Sequence, residues 1–271
     1  MGILEGKQLL VTGVLTEQSL ASAVVRAARE QGADVLLTSP VCRALTVTRR
    51  VAPRLDVTRE VLELDVTLPE DLADLARAVR ATGWDRLDGV LHAIGYLPPV
   101  DRAAGFAAQP WDVVGETLQT GAWSLAALVH AVRPLLVRGS SVVGLDLDAS
   151  RAWPGQDWLG VAQGALESTA RYLAREVGPD GVRVNLIACG PQKTLLGKAI
   201  EHRDALVADW AARAPLGWDP DDRTAVAKAA VALLSDWLPA TTGAVLHVDG
   251  GAHAIGTAAH AAHALASVHA P

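Results

Sequence analysis

The sequence predicts an α/β fold: one domain doubly wound about a seven-stranded parallel sheet, with helices on both faces. Two observations carry that expectation. Short apolar runs alternate along the whole chain with longer segments whose apolar residues recur at helical spacing. The intervals between runs are also long enough for the crossovers that parallel strands require.

The elements follow in order. Gln8-Leu9-Leu10-Val11-Thr12-Gly13 reads as the first strand, and Leu20 to Gln31 as a helix that stops at Gly32. Further strands are expected at Val35–Thr38, Val61–Asp65, Gly89–Ala93, Ser141–Leu145, Val182–Leu186 and Val245–Val248, which makes seven. Helical periodicity falls at about 70–81, 111–133, 157–177 and 223–236 between them. In such a sheet ligands bind beyond the carboxyl ends of the strands. No composition break or repeat divides residues 1–253. An Ala/His-rich tail, 254–271, reads as either a helix from Thr257 or a loose segment. His260 and His263 share a helical spacing but have no carboxylate or cysteine beside them, so no metal site is expected.

Composition narrows the function classes. The 271 residues carry 24 Lys+Arg against 30 Asp+Glu, a net charge of −6 with no basic run, which removes the electrostatic basis for binding nucleic acid. Apolar stretches are interrupted before the roughly 20 residues a bilayer span needs, and Glu5, Lys7 and Glu17 occupy the place of a signal-peptide pattern. A cytoplasmic protein without membrane contact is expected. Cys42 and Cys189 are far apart and read as free thiols. Eight of the eleven aromatic residues are Trp, so indoles must fill much of the large-side-chain volume.

Four strand ends carry candidate chemistry. After the first strand, Gly13 to Ala21 makes a strand-to-helix turn in which Gly13 permits close backbone approach. Ser19, Leu20 and the free helix amides could hold a pyrophosphate. With one glycine where the dinucleotide fingerprint has three, an ordinary capped helix fits this turn equally well. Asp65-Val66 places a carboxylate and an amide where an adenine could be read; a cap for the helix at 69–81 is the alternative. Ala93-Ile94-Gly95 leaves backbone room for a flat ligand. Gly190-Pro191 and Thr194 offer partners for a carboxamide. All four would face one crevice, which favours a dinucleotide-shaped site.

These motifs, together with Asp146-Leu147-Asp148-Ala149-Ser150-Arg151, Ala165-Leu166-Glu167-Ser168, Gly181-Val182-Arg183-Val184-Asn185-Leu186 and Leu233-Leu234-Ser235-Asp236-Trp237-Leu238-Pro239-Ala240-Thr241-Thr242-Gly243, resemble an NADH-dependent enoyl-acyl-carrier-protein reductase of the short-chain dehydrogenase/reductase superfamily, above all the mycobacterial type. The resemblance runs through residues 3–253. It implies a Rossmann-like subunit, a homotetramer, NADH as cofactor and an acyl thioester as substrate, with hydride passing to the β-carbon of the enoyl group. Gly13, Ser19, Leu20, Asp65, Val66, Ala93, Ile94, Gly95, Gln163, Pro191 and Thr194 are the implied cofactor contacts.

The departures from that family bear on chemistry. Its members place a tyrosine and a lysine after strand five; here Gln156 stands at the tyrosine position and Gln163 at the lysine position. A Gln amide can polarise a carbonyl or bind ribose hydroxyls, but it neither titrates near neutral pH nor carries charge. Of the two tyrosines, Tyr96 lies near the crevice and is a candidate substitute donor. Leu147 replaces the aromatic ring beside the nicotinamide, and Pro40 the adenine-side aromatic. No Arg stands immediately after the second strand to clamp a 2′-phosphate, which favours NADH over NADPH. The segment Thr194–Arg213, the lid in the family, is shorter here, so a compact substrate is expected. Trp153, Trp158 and Trp210 are candidate pocket walls, with core packing as the alternative. Three readings fit: a divergent enoyl-thioester reductase with NADH binding kept or weakened, a non-redox catalyst such as a cyclase or dehydratase, and a non-catalytic partner of an active paralogue.

Overall fold

The computed structural model describes residues 2–40, 43–98, 105–194, 196–197, 200 and 202–256. Cys42 and the tail histidines lie outside them.

Seven strands form one parallel sheet: β1 Gln8–Val11, β2 Asp34–Ser39, β3 Leu62–Glu63, β4 Leu87–His92, β5 Leu136–Leu147, β6 Arg183–Cys189 and β7 Val245–Val248. Their spatial order is β3-β2-β1-β4-β5-β6-β7, so the winding direction reverses between β1 and β4, where a ligand crevice belongs. The helices are α1 Leu20–Glu30, α2 Arg43–Val51, α3 Pro69–Ala81, α4 Trp111–Leu118, α5 Ser124–Val132, α6 Trp158–Val177, α7 Arg203–Arg213 and α8 Thr224–Leu234. The fold class is the one the sequence predicts.

Strand alternation sorts the core onto two faces. Leu9 and Val11 of β1 point with Val35 and Leu37 of β2 towards α1, α2 and α8; Leu10 and Leu36 point the other way, towards α3, α5 and α6. Both faces of the central strands are therefore apolar, as a covered parallel sheet demands.

Two helices differ from the periodicity reading. α2 is outside the helical segments read from periodicity, and its Thr46, Val47, Thr48 and Val51 have weak helix preference. It forms because Leu45, Thr48 and Val51 bury one stripe, with the Thr48 hydroxyl donating to the Val14 carbonyl at 2.6 Å. α7 lies in the segment expected as a lid. The single helix expected over 111–133 holds a π-turn at Gln119–Trp123 between α4 and α5. Gly121 sits there against α6: a Cβ on it would stand 3.2 Å from the Ala162 Cβ.

A third, smaller cluster sits apart from the two main ones. The ring centroids of Trp153 and Trp210 are 4.6 Å apart, and the Arg213 guanidinium lies over both rings. Leu159, Ile200, Leu206, Ala214 and Ala252 complete its buried residues among those described. Among the described residues no helix is long and apolar enough to cross a membrane.

Candidate functional site

The strand ends at the switch point meet directly. Gly13 has φ +80°, and a Cβ there would stand 2.0 Å from the Ala93 carbonyl oxygen, so only glycine lets the β1 and β4 ends approach this closely. The turn after Gly13 is tied by Ser19, whose Oγ accepts from the amides of Leu15 (3.2 Å) and Thr16 (3.0 Å). Ser19 occupies the N-cap position, yet its side chain makes no bond to its own helix. The first amides of α1 thus stay open at the positive end of the helix dipole.

One cavity runs along these ends. Gly13, Ser19, Leu20 and Ala21 line it from the first turn, Ala93, Ile94 and Gly95 from the end of β4, and Leu145, Asp146 and Leu147 from β5. Gln163 of α6 faces it, and Cys189, Pro191, Gln192 and Thr194 follow from β6. Leu196, Gly197, Ile200 and Arg203 close the outer side. The β6 exit is pinned by Trp218, whose indole N–H donates to the Pro191 carbonyl at 2.8 Å, while Thr194 Oγ1 accepts from the Gly197 amide at 3.1 Å.

Three side chains on this lining have buried polar atoms without a partner: Asp146 Oδ2, Gln163 Oε1 and Gln192 Oε1. Leaving a polar atom buried and unpaired costs about 1–3 kcal/mol, so three on one cavity suit a polar ligand with hydroxyl and amide groups. Burial pushes the Asp146 carboxyl well above the usual carboxylate range, and the nearby Glu167 charge adds to it. Burial likewise pushes the Cys189 thiol up to about 12, which makes it an inert thiol.

The sequence-predicted residues divide. Gly13, Ser19, Leu20, Ala93, Ile94, Gly95, Leu147, Gln163, Pro191 and Thr194 come together on the cavity. Asp65 and Val66 are not part of the lining. The Asp65 carboxylate accepts from the Thr67 amide and hydroxyl, its amide donates to Asp71 Oδ2, and Val66 is buried beside α3, so this strand end serves the start of that helix.

Gln156 is buried in the turn before α6 rather than on the helix, with Oε1 unpaired, and it too is outside the lining. Tyr96 is exposed and does not face the cavity. Trp153 and Trp210 do not wall the pocket either: they are core of the third cluster, their indoles donating to Asp148 Oδ2 and the Asp249 carbonyl. Trp158 stacks on Phe106 with centroids 4.8 Å apart.

Sequence reasoning missed Asp146, Gln192 and Arg203. Asp146 had a signal, a carboxylate at the end of an otherwise apolar strand run; Gln192 sits in a connection with no periodicity to read, and Arg203 is the first residue of α7, a helix outside the periodicity reading.

Comparison with known proteins matches this architecture to one family. The model described as enoyl-(acyl carrier protein) reductase matches residues 13–253. The chain is 42% identical over 264 residues to the enoyl-[acyl-carrier-protein] reductase [NADH] of Mycolicibacterium smegmatis, covering 93% of this chain and 97% of that protein. It is 42% identical over 265 residues to that of Mycobacterium avium, with the same coverage, and 32% identical over 269 residues to that of Escherichia coli, covering 93% and 95%. The chain belongs to the enoyl-acyl-carrier-protein reductase family of the short-chain dehydrogenase/reductase superfamily.

Proposed function

We propose that the protein is a divergent NADH-dependent enoyl-thioester reductase that works with neutral amides at the family's tyrosine and lysine positions. The carrying observation is the cavity at the β1/β4 switch point, with Gly13 against Ala93 and three lining residues that each keep a buried polar atom unpaired. Similarity to relatives named for NADH and enoyl-acyl-carrier-protein substrates supports the reading.

In it, the open amides of Leu20 and Ala21 bind the pyrophosphate, and Ser19 holds the loop that presents them. Gln163 hydrogen-bonds the ribose hydroxyls that a lysine would otherwise hold, while Thr194 and the backbone at Pro191 take the carboxamide. Bound NADH supplies the hydride. Leu147 and Ile94 give apolar walls that exclude water from the reacting carbons. Gln156, at the family's tyrosine position but in the turn outside the cavity lining, is assigned as the neutral donor to the thioester oxygen on the resemblance alone; it polarises the carbonyl but supplies no proton. The outer wall of Leu196, Gly197 and Ile200 faces a compact acyl chain.

Titration of the purified protein with NADH, followed by its own Trp fluorescence, tests the reading together with NADH oxidation in the presence of crotonyl thioesters. Saturable binding and turnover are expected. No binding at millimolar NADH overturns it, in favour of a non-redox catalyst or a non-catalytic partner.

A further inference from the structure

The reductase reading leaves one requirement unmet. Reduction of an enoyl thioester adds a hydride at the β-carbon and a proton at the α-carbon, and the glutamines at 156 and 163 hold no proton that can be given away near neutral pH. Among the described residues on the cavity wall, three are ionisable: Asp146, Cys189 and Arg203. Arg203 stays protonated, since a guanidinium does not release its proton in proteins. Cys189 is a buried thiol whose acidity is far too weak, and its S–H is already directed at the Asp146 carbonyl oxygen at 3.4 Å.

We infer that the Asp146 carboxyl is the acid of this site: it enters the reaction protonated and delivers its Oδ2 proton to the reduced substrate. This role rests on the reductase reading above. Asp146 is a lining residue of the cavity and is 2% exposed; its Oδ1 accepts from the Leu147 amide at 2.9 Å, and its Oδ2 lies buried with no hydrogen-bond partner among the described residues. An ionised carboxylate with one oxygen unpaired would carry a heavy desolvation penalty there; the protonated acid carries far less and can donate.

Burial and the neighbouring carboxylates favour that form and outweigh the Leu147 amide, whose bond to Oδ1 favours the charged one. Glu167 follows Gln163 by one turn of α6 and repels a charge on Asp146, as does Asp148 just past the end of β5. Glu167 is itself close to Arg171, at 3.8 Å, and Cys189 stays a neutral thiol on the neighbouring strand. Arg203 lines the same cavity and His247 lies 3.5 Å from Asp148, but among the described residues neither they nor any other group hydrogen-bonds Asp146 Oδ2.

The balance is complete. The electron pair reaches the β-carbon with the hydride, the nicotinamide being oxidised. The α-carbon takes the proton as the Asp146 O–H bond breaks, and the resulting carboxylate recovers a proton from water between turnovers. Asp146 thereby replaces the tyrosine as proton source, not as a carbonyl polariser.

The test compares wild type with Asp146→Asn, which keeps shape and hydrogen-bonding capacity but has no acidic proton. NADH binding by Trp fluorescence should be unchanged within about threefold, while kcat with crotonyl thioester falls by at least about a hundredfold, the lower end of what a positioned acid supplies. Wild-type kcat should decline as pH rises through the alkaline limb, and the residual activity of Asp146→Asn should lack that limb. Independently of turnover, the infrared spectrum of the wild type at neutral pH should contain a protonated carboxyl band that Asp146→Asn lacks; Asp146→Ser takes its place if the first variant does not fold.

Absence of that band, or a variant with wild-type kcat and pH profile, overturns the assignment while leaving the reductase reading intact. A wild type that binds NADH but never oxidises it overturns the reductase reading and removes this role with it, whatever the infrared shows.

Discussion

Nε2 of His92, at the end of β4, lies 2.8 Å from the Oγ of Ser124, at the start of α5, and both side chains are fully buried. Ser124 spends its hydroxyl proton on the Thr120 carbonyl at 2.6 Å, so the imidazole must donate through Nε2, leaving Nδ1 buried without a partner. Burial therefore holds this ring neutral and lowers its pKa to about 4. The unfolded chain takes up a proton at ordinary His values and the folded chain does not, so the native state loses stability as pH falls from about 6.5 towards about 4. The full loss is about 3 kcal/mol. Urea denaturation across that range should show it, and His92→Gln, which still donates to Ser124, should flatten that part of the curve. Equal slopes for the two proteins would contradict the assignment.

Gly13→Ala tests the contact at the switch point. Its Cβ would meet the Ala93 carbonyl oxygen at 2.0 Å, in a backbone region that alanine rarely adopts. The β1 and β4 ends must then part. We expect melting several degrees lower and NADH binding weakened at least about tenfold, a loss of about 1.4 kcal/mol. Unchanged fluorescence titration and unchanged melting would show that the close approach is dispensable.

Gln156→Tyr with Gln163→Lys restores an acidic phenol and a cation beside the ribose. Reduction of enoyl thioesters should rise at least about tenfold, which requires only some 1.4 kcal/mol of added transition-state stabilisation. Each single change should do less, because the two groups act together. A folded double variant that binds NADH yet stays inert towards enoyl thioesters would point to a pocket rebuilt for other chemistry.

Trp111, Trp123, Val161 and Tyr172 are exposed apolar or aromatic side chains on α4, the π-turn and α6, with Trp111 76% and Tyr172 70% exposed. Monomeric surfaces seldom leave such groups together in water, and we expect them to meet a second copy in a homotetramer. Light scattering should give a mass well above 28.3 kDa, and Trp123→Asp should lower it. A 28.3 kDa species at micromolar concentration would remove the proposal.

Chain length of the substrate offers a separate check. With Leu196, Gly197 and Ile200 as the outer wall, little further apolar chain can be covered, at roughly 25 cal/mol per Å2 removed from water. Crotonyl thioesters should bind at least as well as hexadecenoyl thioesters. Affinity that climbs steadily with length would contradict a compact site.

What the sequence made legible was periodicity. Runs such as Val142-Val143 and stripes such as Leu125, Leu128, Val129 and Val132 report burial directly, so strands and long helices fell where expected. α2 escaped because its β-branched residues argue against a helix that tertiary burial of Thr48 enforces. On the site, the close backbone approach read at Gly13 is present, whereas Asp65 admits two readings and its carboxylate serves the start of α3, as the cap reading has it. The indoles carry both readings, pocket wall and core packing, since residue type cannot say whether Trp153 and Trp210 face a cavity or each other; the structure has them in the core.

The Trp153, Trp210 and Arg213 stack also gives α7 a second attachment to the body of the protein, independent of the peptide chain that leads into it. Cut between Gly197 and Arg203, the chain would fall into two pieces whose complementary surfaces are already built: the larger keeps β1 to β6 and Trp153, the smaller keeps α7, α8 and the edge strand β7 that pairs with β6. Such a pair has the properties of a split protein, with an apolar face on α8, an open strand edge on β6 and an indole socket to guide reassembly. Permuted or two-part versions of this fold could be engineered at that point without disturbing the sheet centre.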